Sequence, residues 1–290
     1  VNGLSPLILA CLGATWFVWG STYLAIKFAL VSFPPYWQMG TRFIIAGALL
    51  MLWCMWRGAA LPTRLQWRNA LIIGALMLAG GMGQTAKAEQ TIASGLIVAF
   101  IAVMPAMISL LNLFYGIRPT HREVIGIATG LVGVLMLVSG TGFSASHSGL
   151  VAIIIATIGW SLGSVLSQQQ LKLAPGAMGF ASEMLAGGAV LLIMSWLAGE
   201  SPTWPPDTKS LIAWLYLIVF GSLIAFNAYM ILLSRASAAL AASYTFVNPV
   251  IALLLGIALG GETITSFEWW AALVIVVAVL LLVSGRRKTA

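Results

Sequence analysis

Ten runs of predominantly apolar residues, each about twenty long and joined by short connections, constrain this chain more than any other feature. Their approximate limits are 6–30, 35–57, 68–88, 94–115, 122–140, 148–170, 176–199, 209–233, 237–260 and 266–285. At 1.5 Å per residue, about 20 helical residues cross the roughly 30 Å hydrocarbon core of a bilayer. Lipid offers no partner to a backbone N–H or C=O, so each run must satisfy its own groups as a helix. Composition removes the soluble alternative. Ordinary globular domains are about 25% charged, whereas 7% of these 290 residues are Asp, Glu, Lys or Arg and 61% are hydrophobic. The expected fold class is an all-α membrane protein with ten transmembrane helices.

Charge placement orients the chain and removes one class of partner. A net charge of +7 would suit nucleic acid if it were clustered. The basic residues instead stand singly or in pairs between apolar runs, as membrane-edge charges do, so lipid is the expected surroundings and nucleic acid is not a partner. Cytoplasmic loops are enriched in Lys and Arg. One side collects Arg57, Arg64, Arg68, Arg118, Arg122, Lys172, Arg235, Arg286, Arg287 and Lys288; the other claims Lys27, Arg42, Lys87 and Lys209. Ten against four predicts both termini in the cytoplasm. The first run lacks a basic leader and an A-x-A-like site, so it reads as a retained span. Cys11 and Cys54 lie inside apolar runs and imply neither disulfide nor metal site, and no cofactor is expected.

The chain repeats itself. "LMLVSG" at 135–140 returns as "LLLVSG" at 280–285, an offset of 280 − 135 = 145. Glu123 pairs with Glu268 at the same offset, and at offsets that drift down to 141 Pro105 pairs with Pro249, "WGS" at 19–21 with "LGS" at 162–164, and "RFIIAGA" at 42–48 with "EMLAGGA" at 183–189. Two units follow, 1–145 and 146–290. Each holds five spans, an odd number, so the second must enter the membrane from the opposite side. Inverted repeats about an axis in the membrane plane allow a central site to open to one side and then the other.

On these residues the chain resembles the drug/metabolite transporter superfamily, with two EamA-type units. The motifs are "ATWFVWGSTYLAIKFAL", "RFIIAGALL", "EMLAGGAVLL", "FGSLIAFNAYMILL", "ASYTFVNPVIALLLG" and "GGETIT". Within the superfamily it is most similar to the YddG/YedA-like bacterial inner-membrane exporters. The resemblance implies ten helices, with one to four and six to nine around a central cavity and five and ten peripheral. It also implies export of amino acids, aromatic ones among them, or of related metabolites.

Polar and aromatic side chains inside spans are expected to face a cavity or another helix. In the first span Trp16, Trp19, Tyr23 and Lys27 fall at i, i+3, i+7 and i+11, one helical face. The matching span of the second unit offers Trp160, Ser164, Ser167 and Gln168. The ninth span carries Tyr244 and Asn248 before Pro249; the fourth carries Phe100 and Met104 before Pro105. Each proline removes a helical hydrogen bond and frees a carbonyl four residues earlier, at Ile101 and Thr245. Such a carbonyl can meet a ligand, or the proline can mark a satisfied kink. Gln84 and Asn227 can hydrogen-bond a zwitterion or staple helices. Arg42 is expected at the outer mouth, where it attracts a carboxylate or anchors a helix end, and inversion keeps it from pairing with its counterpart Glu183. Together these residues describe a cavity for an amphipathic organic solute, whose ring stacks on aromatics while amides and hydroxyls orient its polar end. A phosphate ester would call for clustered Lys and Arg.

"GWSLG" at 159–163 has the G-x-S-x-G spacing of a nucleophile elbow, which would make Ser161 a hydrolase nucleophile. It lies within a span, where Gly159 and Gly163 read as a small-xxx-small packing surface. No phosphate-binding loop, dinucleotide fingerprint or H-E-x-x-H occurs. The chain is therefore read as a transporter without enzymatic activity, with a membrane serine enzyme and a non-transporting scaffold as the readings from other classes.

Overall fold

The computed structural model describes residues 5–92, 94–139, 146–260 and 265–284. Gly140 and Gly285 of the duplicated strings, residues 261–264 of "GGETIT" and the basic cluster Arg286, Arg287 and Lys288 lie outside the described residues. Eight helices are long and apolar enough to cross a membrane: α1 (Pro6–Ala29), α2 (Pro35–Trp56), α3 (Arg64–Ala88), α5 (His121–Val138), α6 (His147–Gln169), α7 (Ala177–Leu197), α8 (Thr208–Arg235) and α10 (Ser266–Ser284). Two broken apolar segments, α4 (Ser94–Ile101 and Met104–Leu113) and α9 (Ala238–Ala241 and Tyr244–Gly260), occupy the fourth and ninth places.

Helix starts follow local chemistry. Pro6 and Pro35 open α1 and α2, where the missing N–H costs nothing. Thr63 and Gln66 form a capping box on α3. The Glu123/Glu268 correspondence has the same explanation. The Glu123 carboxylate accepts from Thr120 N–H at 2.8 Å while Thr120 Oγ1 accepts from Glu123 N–H at 3.2 Å. Thr265 and Glu268 repeat the arrangement at 2.8 and 3.3 Å. The start of α2 is capped from the other half of the chain, since the Glu200 carboxylate accepts from the Tyr36 and Trp37 N–H groups.

Corresponding helices of the two halves pack on each other, and they run antiparallel. In the α2–α7 contact a Cβ on Gly47 would lie 3.0 Å from Ala181 O and from Leu185, while one on Gly188 would lie 3.0 to 3.1 Å from Gly40 O and Ile44. Gly47, Gly40 and Ile44 become Gly188, Ala181 and Leu185 on adding 141, so the contact is its own mirror under a pseudo-two-fold operation. Helices α5 and α10 repeat the pattern: Gly126 abuts Ala278 and Leu282, and Gly133 abuts Val274 and Ile275. Antiparallel packing of equivalent helices means that the halves are inverted.

The irregularities of α3 and α8 and of α4 and α9 come in pairs, whereas the π-helical turn Ala14–Val18 of α1 has no counterpart in α6. Helix α3 contains a π-helical stretch at Ala75–Gly83 and α8 one at Leu217–Phe226. Helix α4 breaks at 102–103 and α9 at 242–243, each break bridged by tightened turns such as Val103 N–H to Phe100 O (3.1 Å) and Ser243 N–H to Leu240 O (3.1 Å). The prolines behave differently. Pro105 sits in the first turn after the break in α4, whereas Pro249 lies within the helical run Tyr244–Gly260. Discontinuous helices at matching places in two halves mark the solute site of many secondary transporters.

The "GWSLG" segment is a packing surface. A Cβ on Gly159 would lie 2.7 Å from Leu76 O, and one on Gly163 would strike Met77. Ser161 is completely buried inside α6, and its hydroxyl meets no partner. The outer surface of the bundle is apolar, with Trp56, Phe114, Trp196 and Trp204 more than three-quarters exposed near helix ends, as aromatic groups at a lipid interface would be.

Candidate functional site

A cavity of about 60 Å³ lies among α1, α2, α3, α4, α6 and α9. Of the residues singled out from sequence, Trp19, Tyr23, Met104, Trp160, Tyr244 and Asn248 line it. None of its lining residues comes from α5 or α10, which pack on each other instead. Sequence reasoning missed Thr22, Ile26, Met39, Met82 and Thr85, which share the lining. Thr22 and Ile26 lie three and seven residues after Trp19, so the stripe that found Tyr23 could have found them.

Four aromatic rings form a plug at the cavity wall, where Trp19, Trp160 and Tyr244 belong to the lining and Tyr229 stands behind them. Trp19 meets Trp160 edge-on at 5.6 Å, Tyr244 at 4.6 Å and Tyr229 at 5.3 Å, and Tyr229 lies 5.2 Å from Trp160 and 5.5 Å from Tyr244. Hydrogen bonds fix the rings. Trp160 Nε1 donates to the Tyr229 hydroxyl at 3.1 Å, which is also bonded to Ser164 Oγ at 2.9 Å. Trp19 Nε1 donates to Gly221 O at 3.2 Å, within the π-helical stretch of α8. Ser164 and Tyr229 are thus joined to the plug but lie behind the cavity. Tyr229 was not foreseen, although it follows Asn227 by two residues.

A second cavity, of about 280 Å³, is lined by polar groups that include Ser109, Asn112, Arg118, Glu123, Gln168 and Gln169. Trp160, Ser164 and Gln168 stand at i, i+4 and i+8 on one face of α6, so about 12 Å of helix joins the two cavities through the plug.

Other expected residues have different surroundings. Trp16 does not line the cavity; its Nε1 donates to Ser243 Oγ at 3.0 Å, across to the break in α9. Trp16 belongs to a π-helical turn, Ala14–Val18, which rotates it off the face that 3.6-residue spacing assigns. Asn248, oriented by its contacts, donates to Tyr244 O at 3.0 Å and Trp16 O at 3.1 Å. Gln84 staples two helices, accepting from the Tyr36 hydroxyl at 3.3 Å. Asn227 donates to Leu223 O of its own helix at 2.8 Å. Gln168 donates to Leu233 O and faces the second cavity. Phe100 packs half-buried against the core.

Arg42 departs most from expectation. It is not at a mouth but 0% exposed inside the bundle. Its Nε donates to Ser222 Oγ at 3.0 Å, Nη2 lies 4.0 Å from Met82 Sδ, and Nη1 has no partner. Glu183 is equally buried, with neither carboxyl oxygen hydrogen-bonded. The antiparallel register sets Gly40 against Leu192 and Gly47 against Leu185, so Arg42 and Glu183 occupy different levels and do not meet. Among the described residues no cluster of three or more His, Cys, Asp or Glu could hold a metal ion, and Cys11 and Cys54 are free thiols.

Comparison with known proteins agrees with this architecture. Residues 4–139 and 147–284 each match the EamA-like transporter family. The chain is 44% identical over 284 residues to the "Uncharacterized inner membrane transporter YedA" of Escherichia coli strain K12, covering 98% of this chain and 92% of that one. It is 26% identical over 282 residues to "Protein PecM" of Dickeya dadantii, covering 93% and 92%. One solved structure, described only as "Crystal structure of protein", superposes with a TM-score of 0.79 at 22% identity, covering 96% of each chain, and supports the fold. With a family match in each half and a near full-length relative, this chain is a membrane transporter of the EamA-like family.

Proposed function

We propose that the protein exports amino acids, aromatic ones among them, or related amphipathic metabolites, by alternating access between the units 1–145 and 146–290. One observation carries this reading: an aromatic-lined cavity built by both halves lies against a hydrogen-bonded aromatic plug, and a second, more polar cavity follows eight residues farther along α6. A solute ring can stack against Trp19, Trp160 and Tyr244 while Thr22, Thr85 and Asn248 orient its polar end. Moving the plug would transfer the opening from the first cavity to the second, and the paired breaks in α4 and α9 and π-helical stretches in α3 and α8 are suited to flex in that motion. The second cavity adjoins Arg118 and Gln168 at the Lys- and Arg-rich end of the bundle, so the charge rule assigns that end, and both termini, to the cytoplasm. A non-transporting scaffold would call for a packed centre, which the free space beside Trp19 and Trp160 argues against.

The test is counterflow in proteoliposomes preloaded with unlabelled phenylalanine, with labelled phenylalanine outside. Saturable accumulation above that of empty liposomes, reduced in Trp160→Ala, is expected. Accumulation equal to that of empty liposomes for phenylalanine, tyrosine and tryptophan overturns the substrate class.

A further inference from the structure

A guanidinium kept in a membrane interior without an acid at hand is costly, and such groups normally pair with an anion. Arg42 has none. Its two hydrogen-bond contacts, the Ser222 hydroxyl and the Met82 thioether, are neutral, its Cζ lies 4.7 Å from the Phe43 ring, and Nη1 is buried without a partner. The field of Glu89, just past the end of α3, reaches it, yet no ion pair within 4 Å joins Arg42 to any acid among the described residues. Glu183, buried on the neighbouring α7, sits at another level of the helix contact.

The guanidinium lies one side chain behind the cavity wall. Met82, 4.0 Å from Nη2, is itself a lining residue, and so is Thr22, which flanks Gly221 together with Arg42 Nη2. Methionine is unbranched and adaptable, so a rotamer change at Met82, the side chain between Nη2 and the cavity, is the smallest movement that would open the guanidinium to a solute. Two N–H groups of one planar fork suit a carboxylate bidentately. A single cation in an otherwise neutral, largely apolar pocket suits a singly charged head better than a phosphate.

We infer that Arg42 is the solute-binding residue for a carboxylate: the head of an amphipathic acid passes Met82 and pairs with the guanidinium while its apolar part stays among Trp19, Trp160 and Tyr244. This rests on the cavity being the transport site, and it adds that the solutes are carboxylates and not amines or neutral amides.

The test is ligand-induced stabilisation of the purified full-length protein, with L-phenylalanine and L-phenylalaninamide as probes that differ in the carboxylate. Phenylalanine should raise the unfolding temperature with an apparent Kd about 10- to 100-fold below that of the amide, the range of a charge-assisted hydrogen-bonded pair. Arg42→Gln should erase the preference, and Arg42→Lys should keep part of it. Equal stabilisation by the two probes in the unaltered protein overturns the inference and leaves the cavity intact, and that measurement needs no variant to fold. A preference that survives Arg42→Gln also overturns it. Failure of both probes to bind removes the proposed substrate class and this inference together.

Discussion

The two halves of the molecule agree in what bends and pairs, and they disagree in what carries charge. Gly47 and Gly188 make the same contact from opposite sides, and Thr120–Glu123 and Thr265–Glu268 cap α5 and α10 in the same way. Helices α3 and α8 share their π-helical stretches, and α4 and α9 their breaks. Yet at one and the same place in the repeat stands Arg42 in the first half and Glu183 in the second. The aromatic stripe of α1 has a polar track, and not a second stripe, at the matching place in α6. Symmetric features are those that an inverted pair needs to exchange conformations. Asymmetric ones are free to serve the solute, which meets both halves at once and has no symmetry of its own.

The comparison breaks first at the α2–α7 contact. A Val at position 47 or 188 pushes side-chain carbon toward backbone atoms that would stand only 3.0 Å from its Cβ, with no flexible tip to give way. Gly47→Val and Gly188→Val should each destabilise by about 3 kcal/mol or more, and by similar amounts because the contact mirrors itself. Thermal unfolding in detergent would decide it. One variant tolerated and the other lost would mean that the pseudo-symmetry of this interface is only apparent.

The plug is the next place to press. Tyr229→Phe keeps the ring but leaves Trp160 Nε1 without its acceptor and Ser164 without its hydroxyl partner, both buried. A loss of about 1–3 kcal/mol is expected. The first half has no equivalent, because Trp19 donates to the backbone carbonyl of Gly221, which no side-chain substitution removes. Stability unchanged within about 0.5 kcal/mol would show the hydroxyl to be incidental to the plug.

Arg42 and Glu183 sharpen the contrast. If Glu183 is an uncompensated polar burial, Glu183→Met should leave stability unchanged or raise it by about 1–2 kcal/mol. A loss above about 2 kcal/mol would reveal partners for the carboxyl that the folded structure does not display. Arg42→Met should not mirror Glu183→Met, since it also abolishes the preference for a carboxylate over its amide.

How much of this could be read from the chain alone follows from what each signal measures. The spans were legible because burial in lipid demands about twenty apolar residues whatever surrounds them. The duplication was legible because the offset is a property of the string. Trp19, Tyr23, Trp160 and Tyr244 were found because cavity-facing residues keep the helical period. Trp16 was misplaced by a π-helical turn that no periodicity announces. Arg42 was misplaced because its depth is set by Ser222 and Met82, which are 180 and 40 residues away. The breaks in α4 and α9 lie inside apolar runs, where hydropathy does not register them.

The smallest test compares the two capping boxes. Thr120→Ala and Thr265→Ala each remove an oxygen that accepts from a first-turn N–H, at 3.2 and 3.3 Å. A cost of about 1 kcal/mol is typical for such a cap. Glu123 is 8% exposed and also faces the second cavity, whereas the Thr265 box sits near the surface. Water can replace the lost oxygen at position 265 more readily than at 120, so Thr120→Ala should cost more, by a few tenths of a kcal/mol. Because α5 and α10 run antiparallel, the boxes lie at opposite ends of the pair, and the double variant should lose the sum of the two single costs. A double variant departing from that sum by more than about 0.5 kcal/mol would mean that the two helices respond as one body, and that the scaffold transmits strain from one membrane face to the other.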